Sequence, residues 1–150
     1  MLGPETPSGP ARLQVAFCRR FRCTACMAVV LVVPRPVLAS RRYTANAIAL
    51  ALALWGHFGG SAEAVRERVA PGSFAEGGWR SLRRWTRAVA ERRLFPGYVT
   101  AGVTVGSVRL REIASGISSW LAGFAPATPA EGPVGEALWA LAFRGGEHAP

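Results

Sequence analysis

The clearest periodic signal in this chain runs through residues 79 to 94, "WRSLRRWTRAVAERRL". At about 100° per residue, Leu82, Trp85 and Val89 fall within roughly 60° of one another, with Trp79 at the edge of that arc. Arg80, Arg83, Arg84 and Arg87 occupy an arc of about 100° almost opposite. The pattern predicts an amphipathic helix with a core stripe anchored by two tryptophans and a ridge of four guanidinium groups. Glu91 is the one acid that dilutes the ridge, and Pro96-Gly97 closes the segment. A different pattern occupies residues 45 to 58, where Ile48, Leu50, Leu52 and Leu54 alternate with alanine. The alternation resembles a strand, but the alanine content and the length favour a helix, apolar nearly all round and therefore buried. Thr44 is its expected N-cap and Gly59-Gly60 its end.

The remaining segments are weaker. Ser61 should cap a short helix, "AEAVRERV", with Val65 and Val69 one turn apart, and a connector of about ten residues leads from it to the basic helix. Val108, Ile113, Ile117, Trp120 and Leu121 are spaced for a fourth helix, and "VGEALWALAFR" for a short last one. Near the N-terminus "MAVVLVV", rich in valine and stopped by Pro34, reads as a strand and falls far short of the roughly 20 apolar residues that span a bilayer. Five segments result: a Pro/Gly-rich disordered lead-in (1–12), a β-like segment around the cysteines (13–36), a helical domain (40–96), C-terminal helices (107–143) and a mobile tail (144–150). The expected fold is mainly α, a small helical bundle with a helix-turn-helix, preceded by the short β-like segment. There is no internal repeat.

Composition changes this picture in two ways. All 18 basic residues are arginine and all 9 acidic residues are glutamate, for a net charge of +9. An excess of this size sets up a long-range positive field that favours a polyanion, either nucleic acid or an anionic membrane surface. The absence of aspartate excludes nuclease or transposase metal centres built on Asp pairs, and the Ser-His-Asp triad. Three cysteines, Cys18, Cys23 and Cys26, do not make a paired disulfide framework and point to a reduced, cytoplasmic setting.

On an ordinary solvated helix face the signs are mixed, because like charges one turn apart repel by a few tenths of a kcal/mol. Four arginines with no acid among them until Glu91 are better explained by a phosphate backbone, and an arginine fork can also bond guanine in the major groove. A short helix, a connector and a longer basic helix follow the order of a helix-turn-helix, although this connector exceeds the usual three or four residues. Arg41 and Arg42, just ahead of the first helix, are candidate phosphate contacts.

The stretches "RRFRCTACMAVVLVVPRPVLASRRYTANAIALALALWG" and "SAEAVRERVAPGSFAEGGWRSLRRWTRAV" resemble the N-terminal region of bacterial insertion-sequence transposases and their stand-alone relatives. The likeness covers roughly residues 19 to 93. It implies a zinc ribbon ending in an Arg-rich Cys-x-x-Cys strand, then a DNA-binding helix-turn-helix. Cys23 and Cys26 would match the ribbon's second ligand pair; Arg80, Arg83 and Arg84 would match the DNA-reading helix. The chain departs from that pattern in three places. No Cys-x-x-Cys pair precedes Cys18, Met27 stands where a glycine is usual, and no acidic catalytic domain follows. It therefore reads as a truncated or non-catalytic version.

A closed structural zinc site takes four ligands. Cys23 and Cys26 provide two, Cys18 is a candidate third, and zinc would require a further pair upstream. His57 reads as a helix-end histidine. The expectation is a non-enzymatic bacterial protein of the cytoplasm, associated with the nucleoid and binding duplex DNA rather than membrane, its oligomeric state not set by the sequence. The alternatives are a membrane-peripheral or partner-binding helical protein, supported by the apolar helix and the run 27–33, and a degenerate, non-functional reading frame.

Overall fold

The computed structural model describes residues 2–13, 15–34, 37–38, 42–72, 79–99, 107–126 and 134–150. The protein is mainly α. Among the described residues five helices form the body: α1 (Ala45–Gly56), α2 (Ala62–Val69), α3 (Arg80–Ala90), α4 (Ser107–Ala122) and α5 (Val134–His148). Two antiparallel strand pairs precede them, β1 (Leu2–Pro4) with β2 (Ala11–Leu13), and β3 (Arg19–Arg22) with β4 (Val29–Val32).

Helix α1 is the axis of the bundle. Thr44 caps it, its hydroxyl accepting from the Ala47 N–H at 3.2 Å. Ten of its twelve residues are buried, because α5, α4, α2 and α3 all pack around it. This all-round burial explains why alanine and leucine alternate there: the small residues admit neighbouring helices and the leucines fill the spaces between them. Ser61 caps α2, accepting from the Ala64 N–H at 3.1 Å, and turns Val65 and Val69 into the core. Helix α4 carries Leu110, Ile113, Ile117 and Leu121 inward.

Two segments depart from the sequence-based expectation. The lead-in is not loose: Leu2 pairs with Leu13 and Pro4 with Ala11. Arg68 of α2 donates to the carbonyls of Pro7 and Gly9, at 2.6 Å each, and so ties the intervening loop to the body. The tail differs too, since α5 continues through Gly145 and Gly146 to His148. Both glycines are buried. A Cβ on Gly146 would stand 2.8 Å from the Ala49 Cβ, and one on Gly145 would overlap the Leu121 carbonyl. Here glycine permits α5 to cross α1 and α4 closely, and the packing gained outweighs a helix-propensity cost of about 1 kcal/mol per residue.

The β3–β4 pair stands apart from this body. Its residues are all exposed, and among the described residues neither strand packs substantially against a helix. No helix among the described residues is long and apolar enough to cross a membrane.

Candidate nucleic-acid interface

Helix α3 is seated by an aromatic cluster. Trp79, its N-cap residue, and Trp85 meet edge to face at 5.0 Å between ring centroids. Tyr43 packs against both, at 5.8 Å and 5.0 Å. Such pairs contribute about 0.5–1.5 kcal/mol each beyond the area they bury. Leu82 and Val89 complete the buried stripe, and the buried Thr86 hydroxyl is satisfied by the Leu82 carbonyl at 2.8 Å. The stripe expected from the sequence is thus the one that faces α1 and α4.

The opposite face is bare. Arg80, Arg83, Arg84 and Arg87 are all exposed, and among the described residues none of their guanidinium groups has an ion-pair or hydrogen-bond partner. From Arg80 to Arg87 the rise is about 10 Å, so four like charges crowd two turns of helix. Glu91 does not relieve them. It turns instead to Arg93, whose Nε donates to its carboxylate at 2.8 Å. Since Glu91 is the C-cap of α3, one turn past Arg87, this pairing leaves the ridge less diluted than its spacing implied.

Of the pair ahead of α1, Arg42 is exposed and is joined directly to Tyr43, whose ring lies on Trp79 and Trp85. That contact fixes the residue next to Arg42 against the buried side of α3. Arg41 lies outside the described residues. Arg92, not singled out by the sequence pattern, is exposed just past α3 at a φ of 55°, within a turn whose Arg93 and Leu94 N–H groups both bond the Ala88 carbonyl. A glycine there would have marked the turn; an arginine in the left-handed region leaves no such signal.

The order of short helix, connector and basic helix is present in α2 and α3. The two helices are each held by α1, with only marginal contact between them, so their relative placement is not that of a compact helix-turn-helix in which the pair pack on one another. Residues 73–78 of the connector lie outside the described residues.

The cysteines fall on the exposed hairpin. Cys23 to Ala28 form its turn: the Cys23 N–H bonds the Ala28 carbonyl at 2.8 Å and the Met27 N–H the Cys23 carbonyl at 3.0 Å. Met27 takes a φ of 60°, the left-handed conformation that a glycine would adopt at less cost. The turn aims the backbone N–H groups of Cys26 and Ala25, and then the Cys26 thiol, at the Cys23 sulfur, which holds the Cys23 thiol below its ordinary pKa. Cys18 does not join them. It flanks the opposite end of β3, roughly 16 Å away at the rise of an extended chain, so the strand itself removes it as a third ligand. Among the described residues there is no group of three or more metal donors. Cys23 and Cys26 are thus two donors of the kind zinc takes, half of the four that a closed site requires.

His57 sits at the end of α1, as its position implied, and bridges to α4 through the Ser115 carbonyl at 3.0 Å and the Ser119 hydroxyl at 3.2 Å. Nearby Arg111 lies over the Trp55 ring at 5.5 Å. Both are contacts that join α1 to α4. Comparison with family models, with curated proteins and with solved structures finds no match for this chain.

Proposed function

We propose that the protein binds duplex DNA through the outer face of α3, with Arg80, Arg83, Arg84 and Arg87 meeting phosphates. The observation that carries this reading is the bare ridge: four exposed, unpartnered guanidinium groups on a helix whose other face is fixed by Trp79, Trp85, Leu82 and Val89. Crowding four like charges costs stability, and a phosphate backbone relieves it while releasing counterions. Arg42, ahead of α1, and Arg92, just past α3, are exposed and are candidates for further phosphate contacts. All four ridge arginines would neutralise backbone charge and set position, and one or two of them would also reach base edges.

The likeness of residues 19 to 93 to the N-terminal region of insertion-sequence transposases supports the same partner, and makes a non-catalytic, nucleoid-associated role the companion proposal. Because α2 and α3 scarcely touch, DNA would be engaged chiefly by α3 rather than by a rigid two-helix unit.

The reading is tested by gel shift on random-sequence duplex, set against co-sedimentation with anionic liposomes, both at low salt. A shift abolished by alanine at Arg80, Arg83 and Arg84 is the expected result. Sedimentation with liposomes and no DNA shift would move the ridge to a membrane-peripheral role.

A further inference from the structure

The β3–β4 hairpin has two features that the DNA-binding reading leaves unused, and they meet at one end of it. The first is its turn, which presents Cys23 and Cys26 side by side, exposed, with no further metal donor grouped near them among the described residues. Two thiolates are half of a tetrahedral sulfur set.

The second is its apolar face. Phe21 pairs with Val30 and Arg19 with Val32, and directly opposed residues project to the same side of a ribbon. Phe21, Val30 and Val32 therefore share a face, and each is half exposed or more. Arg20 and Arg22 project to the other side, with Leu31 and Val29. Arg19 is the one charge on the apolar face, and it lies at the end away from Cys23 and Cys26. An isolated two-stranded hairpin is marginal in water, and an uncovered Val/Phe face on both strands makes it more so.

We propose that a second copy of this chain covers this face, and that a zinc ion joins the two hairpin turns through Cys23 and Cys26 of each. A two-fold axis along the hairpin satisfies both needs at once. It sets the two turns at the same end, supplies four thiolates, and lays the Phe21, Val30 and Val32 face of one copy on the same face of the other, β3 of each against β4 of its partner. It also keeps Arg20 and Arg22 of both copies on the outer faces, and parts the two Arg19 side chains from the metal by the length of the strand. Binding replaces four thiol protons, released to solvent, by one Zn²⁺; no oxidant is needed.

The test uses the full chain, reduced with a phosphine and freed of metal, titrated with zinc chloride while mass is followed by light scattering. The mass should double from 15.9 kDa with one zinc per two chains and return to the monomer with chelator. Cobalt in place of zinc should give the intense thiolate charge-transfer and tetrahedral ligand-field bands of a four-sulfur site. Cys23→Ser should abolish dimer and bands, and Cys18→Ser should keep both. The hairpin packs so little on the helices that these variants should retain the helical melting curve, which separates loss of the site from loss of the fold. Monomeric mass at saturating zinc, one zinc held by each single chain, or a dimer that survives chelator and Cys23→Ser would each overturn the proposal. So would a Cys23–Cys26 disulfide that forms in place of metal binding under the reducing conditions.

Discussion

Replacing Arg80, Arg83 and Arg84 together by alanine removes three of the four cations of the α3 ridge and leaves its buried stripe intact. Each phosphate neutralised steepens the fall of log K with log salt by about 0.9. Four ridge contacts give a slope of about −3.6, so that raising salt from ~50 to ~200 mM weakens binding roughly 150-fold. With Arg87 alone the slope is about −0.9, and the same change costs roughly 3.5-fold. At ~100 mM each contact is worth about eightfold, and three together about 500-fold. Contacts from Arg42, Arg92 or elsewhere add equally to both proteins and cancel in the difference. The measurement is fluorescence anisotropy of a labelled random-sequence duplex, titrated at several salt concentrations with native and triple-variant protein. A thermal melt accompanies it, and because the three side chains are exposed and unpartnered, stability should move by less than about 0.5 kcal/mol. A folded variant with an unchanged slope would refute the assignment of the ridge to DNA.

Other parts of the structure give sharper tests of the scaffold. Trp85→Ala removes a residue that is 4 % exposed and contacts both Tyr43 and Trp79; a loss of about 3–5 kcal/mol is expected in urea unfolding, with the DNA affinity falling alongside. Gly145→Ala places a methyl against the Leu121 carbonyl and forces α5 away from α4, which should cost about 1–3 kcal/mol by the same assay. Tyr98, packed beside Trp120 at 5.9 Å, has its phenol pKa raised by burial. The folded state thus favours the neutral phenol: its contribution is full below the ordinary pKa of about 10 and is lost as pH rises through the higher folded value. Melting temperatures taken across that alkaline range should drop in the native protein, and Tyr98→Phe should flatten the drop.

The parts of this fold that were legible beforehand are those governed by neighbours in the chain. The helical repeat of residues 79 to 94 places Leu82, Trp85 and Val89 on one side and the arginines on the other whatever surrounds them, because 3.6 residues make a turn. Thr44 and Ser61 cap their helices through bonds that reach only three residues along. The valine run ending at Pro34 contains β4 for the same local reason.

What the chain's own periodicity could not announce depends on residues far apart in sequence. Gly145-Gly146 is a helix breaker by propensity, and becomes interior helix only because the small radius lets α5 reach Ala49 and Leu121. The Pro/Gly-rich lead-in has no core pattern, and is ordered by a guanidinium from Arg68, about sixty residues on, that satisfies two backbone carbonyls. Spacing made Cys18 a candidate partner for Cys23 and Cys26, but five residues of extended strand carry it out of reach. Glu91 lies on the arginine arc by angle, yet its carboxylate turns to Arg93. Local rules fix which side of a helix a residue occupies; what stands opposite that side, and at what distance, is fixed only when the elements pack.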